Sequence, residues 1–178
     1  MNLAGPVPRS AANRAGRMAC MDTPRVVGLF TAPEAGAPMV AQDSVVLVAG
    51  VGVAGDRYAT RRGHWSDPRW RDQQLTLVEG ELLDKLGLGI DGLRRNVVVR
   101  GMNLNDLIGL EFGIGEAVMR GQRICSPCRY IGELNDRPSL LKELAGRGGI
   151  RVSVVRGGTV RVGEELLVLG IGDPIAEE

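Results

Sequence analysis

The sequence has 178 residues, which suits one globular domain. Hydrophobic residues make up 44% and charged residues 24%, and a net charge of +1 without a basic stripe argues against nucleic acid as the main ligand. The apolar runs are far shorter than the ~20 residues of a membrane-spanning helix, and residues 1–20 do not resemble a secretory signal, so the expected location is the cytoplasm and no membrane partner is expected.

Short apolar runs between turn residues predict a mostly β fold. Residues 1–24 are expected to be a disordered leader, or sequence upstream of a start at Met18 or Met21, and residues 171–178 a flexible tail. Residues 25–170 are expected to form one domain. The runs rich in Val, Leu and Ile predict strands at Val26–Phe30, Ser44–Val48, Gln74–Val78, Asn96–Arg100, Glu111–Ile114, Ala117–Ile124, Arg151–Val155 and Glu165–Leu169.

Two segments have helical rather than strand periodicity. Leucines at helical spacing predict helices at Glu79–Leu86 and Arg137–Arg147, each ended by glycine. The segment Tyr58–Asp72 fits no period and predicts a long loop, a kind of segment that often carries function. It contains His64, the only histidine, and a lone histidine is more often incidental than catalytic.

The segment Cys125-Ser-Pro-Cys128 is the sharpest local feature. A thiolate there can ligate a soft metal, carry a persulfide or exchange with a disulfide. The flanking Arg123 and Arg129 would favour its ionisation. The alternative is a pair of buried structural cysteines, since free cysteine is among the most buried residue types.

Two common uses of paired cysteines fit this sequence poorly. Structural zinc needs four ligands, and only Cys20 and His64 remain beside the pair. A thioredoxin-like site places the two cysteines at the head of a helix in a βαβ unit, whereas the predicted surroundings are β-strands.

Arg94-Arg95-Asn96 stands directly before an apolar strand. An anionic ligand would explain adjacent arginines at that position, because guanidinium groups suit phosphate and an asparagine amide can both donate and accept at a heterocycle edge. The alternative is a pair of solvated arginines at a strand entrance, which is the commonest state of arginine.

A glycine-rich stretch ends in Gly55-Asp56-Arg57-Tyr58. An aspartate–arginine pair can brace a loop through a charge-assisted hydrogen bond, so Arg57 is as much a structural as a binding candidate. The spacing of Gly50, Gly52 and Gly55 matches a dinucleotide fingerprint, but an aperiodic loop follows instead of a helix, and we reject that interpretation.

Four segments follow one another in the order AGVGVAGDRY, RRNVVVRGMNLNDLIGLEFGIGEAVMRG, CSPC and GRGGIRVSVVRGGTVRVGEEL. Together they resemble the MOSC family, the domains found in molybdenum cofactor sulfurases and in the amidoxime-reducing component. The resemblance covers roughly residues 25–170. It implies a largely antiparallel, pyruvate-kinase-like β-barrel with a few short helices.

The resemblance also implies a site. Cys128 matches the family's recurring cysteine, which is similar to a molybdenum ligand in one branch and a proposed sulfur carrier in another, while Cys125 is auxiliary. Arg94 and Asn96 match positions that hold the cofactor's phosphate and pterin, and Ser126 lies where a further contact would fall. With Arg57, these residues are the candidate cofactor-binding set.

Two functions remain open, beside a third option, a barrel that has lost cofactor binding and serves as an interaction domain. One is a stand-alone molybdenum-cofactor reductase of N-hydroxylated compounds, with electrons from a separate electron-transfer protein, since no haem, flavin or iron–sulfur motif is present. The other is a non-catalytic persulfide carrier or cofactor-binding module that acts with a separate cysteine desulfurase. The pyridoxal-phosphate domain of the sulfurases is absent from this sequence, so that cofactor is not expected in this chain.

Overall fold

The computed structural model describes residues 23–67 and 73–172, and strands dominate this part of the chain. The strands are β1 Arg25–Thr31, β2 Val40–Gln42, β3 Ser44–Val48, β4 Gly52–Val53, β5 Leu75–Glu79, β6 Val97–Arg100, β7 Glu111–Ile114, β8 Ala117–Ile124, β9 Ile150–Arg156, β10 Gly158–Arg161 and β11 Leu166–Gly170. The helices are α1 Gly80–Leu86, α2 Arg129–Leu134, α3 Leu140–Glu143 and a 3-10 turn at Leu104–Leu107. The predicted leader up to residue 22, Trp70 and the tail from residue 173 lie outside the described residues.

The strands form a main sheet of eight and a second sheet of three. The main sheet has the order β11-β7-β8-β9-β5-β6-β1-β2, and the second has the order β10-β3-β4. All paired strands are antiparallel except β5 and β6, which α1 connects. The prediction of a mostly β, largely antiparallel fold is confirmed.

The main sheet curls but does not close into a continuous barrel. The start of β1 reaches the start of β11 through one bridge between Arg25 and Glu165, where Val26 donates its N–H to Glu164 at 2.9 Å. Another bond runs from the N–H of Leu166 to the carbonyl of Pro24 at 2.7 Å. Beyond this contact β1 pairs with β2 and β6 instead, so the predicted barrel is right in class but closes at only one point.

Two apolar clusters cover opposite faces of the central strands. One lies inside the curl and contains Leu75, Leu77 and Val97. The other packs Val78 and Val98 against the leucines of α1 and α3 and against α2. Strands β5 and β6 are therefore buried on both faces, which is why they read as unbroken apolar runs instead of alternating ones.

The predicted strands and the first helix agree with the observed ones to within one residue at either end. The helix predicted at Arg137–Arg147 is wrong in extent, because only Leu140–Glu143 is α-helical. No helix was predicted directly after Cys128, whereas Arg129–Leu134 forms α2. A left-handed Asp136, with φ of 48°, and the following Pro138 separate α2 from α3.

Three short strands were not predicted. β2, β4 and β10 contain three, two and four residues, and they carry no distinctive pattern of their own. They exist because longer strands, β1 and β3, offer them backbone partners. Within the described ranges, none of the helices is long and apolar enough to cross a membrane.

Candidate functional site

One cleft brings together three of the residues that the sequence singled out. Cys128, Arg94 and Arg57 come from three distant segments of the chain and share this cleft, which we call the Cys128 cleft. It is partly open to solvent, and its cavity volume is about 30 Å³. Its lining residues are Ala35, Gly36, Arg57, Tyr58, His64, Trp65, Arg94, Arg95, Cys128, Tyr130 and Ile131.

The two cysteines have different surroundings. Cys128 is half-buried, lines the cleft and precedes the first turn of α2, where its carbonyl accepts a bond from Ile131. Cys125 is only 2% exposed, and its N–H donates to the carbonyl of Gly149 at 2.7 Å. Both are free thiols, but only Cys128 lines the cleft, and the exposed Ser126 between them does not.

Although Cys128 stands at the head of a helix, the setting is not that of thioredoxin. The strands on either side of the helical segment are β8 and β9, and they pair antiparallel. A thioredoxin-like site requires parallel strands around the helix. The sequence-based rejection of that site therefore agrees with the topology, even though the helix itself was not foreseen.

Arg94 is buried and is held by its backbone. It has a left-handed conformation, with φ of 54°, which is strained for a residue with a side chain. Its N–H donates to the carbonyl of Asp91 at 2.7 Å, and its own carbonyl accepts from the guanidinium of Arg57 at 2.8 Å. Its Nη2 is buried and has no hydrogen-bond partner among the described residues. A buried donor without a partner is rare in native proteins, and a water, an ion or a ligand that accepts the hydrogen bond would satisfy it.

Arg57 is committed to protein contacts. Its Nη1 lies 2.9 Å from the carboxylate of Asp56, and both side chains are almost fully buried. Its Nη2 donates to the carbonyl of Arg94, and its guanidinium lies 4.7 Å above the ring of Tyr58. These contacts make Arg57 the brace that the Asp–Arg motif suggested, and its direct effect is to position Arg94.

The other two residues of the Arg-Arg-Asn motif also bond to the protein. Arg95 lines the cleft, and its Nε and Nη2 both donate to the carbonyl of Gly148, at 3.0 and 2.9 Å. Asn96 is 1% exposed and does not line the cleft. Its Oδ1 accepts from the backbone and hydroxyl of Thr76, and its Nδ2 donates to the carbonyl of Phe30. Asn96 therefore joins β1, β5 and β6 beneath the cleft.

An aromatic wall that sequence reasoning missed forms part of the cleft. The rings of His64 and Tyr130 stack with centroids 5.0 Å apart and an interplanar angle of 9°. Trp65 meets His64 edge-on at the same separation. The hydroxyl of Tyr130 is buried and lacks a hydrogen-bond partner among the described residues. Tyr130 stands two residues after Cys128, and this closeness was the only signal in the sequence.

The charge of the cleft comes from arginine. Arg57, Arg94 and Arg95 line it, whereas none of the described lining residues is acidic. The arginines that flank the cysteine motif do not belong to the lining, because Arg129 is exposed and pairs with Glu133 at 2.7 Å, and Arg123 lies on β8. The arginines that line the cleft are therefore not the two that flank the cysteine motif in the sequence. A cleft of this charge favours an anionic ligand.

The part of the chain that the structure covers contains no group of three or more His, Cys, Asp or Glu residues able to hold a metal ion. A metal that arrives in an organic chelate needs fewer ligands from the protein.

Comparisons with known proteins agree with this architecture. The YuaD protein from Bacillus subtilis superposes with a TM-score of 0.67 at 24% identity, over 82% of this chain and 95% of that one. YiiM from Escherichia coli superposes with a TM-score of 0.62 at 17% identity, over 84% of this chain and 72% of that one. YiiM from Geobacillus stearothermophilus gives 0.60 at 15% identity, over 82% and 75%. These likenesses show the fold.

A search of curated protein sequences finds no significant match. The family model of the MOSC domain matches residues 69–167, which is more than half of the chain. The chain therefore belongs to the MOSC domain family.

Proposed function

We propose that this protein binds the molybdenum cofactor in the Cys128 cleft, with Cys128 facing the metal and Arg94 holding an anionic group of the cofactor. The observation that carries the proposal is the convergence of two groups in one cleft: a half-buried thiol, and a buried guanidinium nitrogen that has no partner among the described residues. None of the described residues that line the cleft is acidic. Thiolate suits soft metals, and guanidinium suits phosphate. A phosphorylated organic chelate of molybdenum offers both a metal for the thiolate and a phosphate for the guanidinium.

The donor set fits such a group. Arg94 Nη2 can only donate a hydrogen bond, so its partner must be an acceptor, and the arginines of the cleft favour an anionic one. A chelated metal needs a single protein thiolate, which agrees with the lack of a larger ligand cluster among the described residues. Ser126 and Asn96 stay predictions as cofactor contacts, because in this structure neither lines the cleft.

The residues in and around the cleft would have different roles. Arg57 holds the backbone of Arg94, Pro127 restricts the turn that carries Cys128, and the His64 and Tyr130 rings shield one side of the cleft from water. When bound, the cofactor would supply a metal centre able to exchange two electrons. With that centre, the protein would reduce N-hydroxylated compounds, and a separate electron-transfer protein would deliver the electrons.

A persulfide carrier is the second candidate. A specific feature favours it: of the two cysteines that the structure describes, Cys128 lines the cleft and Cys125 is buried. A persulfide on Cys128 would thus have arginines nearby and no exposed neighbouring thiol within its motif. In that case a separate cysteine desulfurase would load the sulfur.

The test compares the variants Cys128→Ser and Cys125→Ser, produced with the wild type in a host that makes molybdenum cofactor. Molybdenum per chain is measured by elemental mass spectrometry and persulfide by intact mass. Loss of both in Cys128→Ser, with molybdenum kept in Cys125→Ser, is the expected result. Molybdenum together with reduction of a hydroxylamine or amidoxime supports the reductase, and persulfide without molybdenum supports the carrier. Full retention of both by Cys128→Ser would contradict the proposal.

A further inference from the structure

Tyr130 is half-buried, but its hydroxyl oxygen is fully buried and has no hydrogen-bond partner among the described residues. Its ring stacks on that of His64. Buried tyrosine hydroxyls are usually bonded, because taking the group out of water without a partner is unfavourable. The ligand-free protein therefore holds the Tyr130 hydroxyl unsatisfied at a fixed position.

A second unsatisfied group lies in the same cleft. Arg94 is 9% exposed, and its Nη2 is also buried without a partner. Tyr130, Arg94 and Cys128 all line this one cleft. Two separate segments, the loop before β6 and helix α2, thus each contribute a cleft residue with a buried donor that has no partner among the described residues.

We propose that Tyr130 is a ligand-binding residue of the Cys128 cleft, whose hydroxyl donates a hydrogen bond to an oxyanion group that Arg94 also recognises. The inference deepens the proposed function, on which it rests for the identity of the ligand. An oxyanion is the class that fits, because arginine can only donate, tyrosine can donate, and the described lining holds no carboxylate to compete.

The stack on His64 gives this hydroxyl a fixed direction. The His64 ring lies parallel to the Tyr130 ring at a centroid distance of 5.0 Å and restricts rotation of the tyrosine side chain. Trp65 in turn contacts His64 edge-on. A donor held in place before the ligand arrives loses little conformational entropy on binding. His64 is therefore a positioning residue for Tyr130.

The variant Tyr130→Phe tests the proposal, because it removes the hydroxyl and keeps the ring stack. Since the hydroxyl has no partner in the free protein, the melting temperature without ligand should stay the same or rise. The dissociation constant of inorganic phosphate, measured by calorimetry, should increase about tenfold, as for a lost hydrogen bond to a charged group. Ser44→Ala, which removes the hydroxyl of an exposed residue on β3 outside the cleft, is the matched control and should bind phosphate like the wild type.

A second arm measures molybdenum retained by Tyr130→Phe after expression in a host that makes the cofactor. Weakening in the phosphate arm points to a free oxyanion as a ligand, and weakening only in the molybdenum arm points to the cofactor's own phosphate. Unchanged values in both arms, or a melting temperature that falls clearly in Tyr130→Phe without ligand, would overturn the inference. The phosphate arm uses neither molybdenum nor the thiol, so it can succeed even where the proposed function fails.

Discussion

The buried ion pair of Asp56 and Arg57 should control both stability and the shape of the cleft. Asp56 is fully buried and accepts three hydrogen bonds, from Arg57 Nη1 at 2.9 Å and from the backbone N–H groups of Ala32 at 3.0 Å and Tyr58 at 3.2 Å. Asp56→Asn keeps the size of the side chain but removes its charge and turns one acceptor into a donor. The arginine is then left as a buried charge without its counterion.

The magnitude follows from this burial. Removing one partner of a buried ion pair costs about 3–5 kcal/mol, because the remaining charge stays out of water. For a domain of this size, 1 kcal/mol corresponds to a shift of about 2–4 °C in melting temperature. Asp56→Asn should therefore lower the melting temperature by roughly 6–20 °C. Loss of the brace should also weaken ligand binding, since Arg57 holds the carbonyl of Arg94.

Thermal and urea unfolding, followed by circular dichroism, would measure the effect. The control is Glu34→Gln in the exposed pair of Arg62 and Glu34, whose side chains are 63% and 51% accessible. An exposed pair contributes about 0–1 kcal/mol, so this variant should melt within about 4 °C of the wild type. Equal shifts in the two variants would refute the argument that burial gives the Asp56 pair its importance.

Two further predictions concern the connection from α3 to β9. Gly149→Ala should lower the free energy of unfolding by about 2–5 kcal/mol, because the residue has φ of +87° and its Cβ would lie 2.0 Å from a carbonyl oxygen of β5. Gly146→Ala, with φ of +74° and open space around it, should lower it by only about 1–2 kcal/mol. Urea titrations measure both values. The pKa of Glu143 is lowered by hydrogen bonds from Ser139 and then Arg137, against the opposing effect of burial. A lowered pKa in the folded state adds stability above the unfolded value of 4.5 and loses it as pH falls through the folded value, so the excess stability of wild type over Glu143→Gln should shrink in melting curves below about pH 4.5.

The strands were predictable because their cause is local. Runs of Val, Leu and Ile between glycines and other turn residues have few alternatives to β-structure, and such runs begin and end within one residue of the observed strands. β4 was not predictable, because its two residues pair only once β3 is in place. The extent of α3 was overestimated because leucine spacing continues through a segment whose backbone already turns at Asp136 and Pro138.

Three of the predicted site residues, Cys128, Arg94 and Arg57, meet in one cleft, but their arrangement was not predictable from the sequence. The motifs around Cys128, Arg94 and Arg57 all contribute to one cleft, and their convergence depends on pairings between distant strands that no spacing encodes. Asn96 shows the limit of a motif, because its neighbours in the chain line the cleft while its own side chain points into a network with Thr76. Adjacent residues at a strand entrance face opposite sides, so one motif serves the cleft and the core together.

The difference between the two cysteines gives a direct chemical prediction. Cys128 lines the cleft, whereas Cys125 is 2% exposed and bonded through its backbone to Gly149, so alkylation of Cys125 must wait for local opening. Iodoacetamide should label Cys128 more than tenfold faster, the factor that about 1.4 kcal/mol of opening imposes. Trypsin releases both thiols in the peptide 124–129, so tandem mass spectrometry must separate them by fragmentation at the intervening proline, while Cys20 falls in another peptide and does not interfere. In urea the two thiols should be labelled at comparable rates. Comparable rates in the native protein as well would show that the thiols share one environment. Disulfide exchange between them would then explain the motif better than a single metal-facing or sulfur-carrying cysteine.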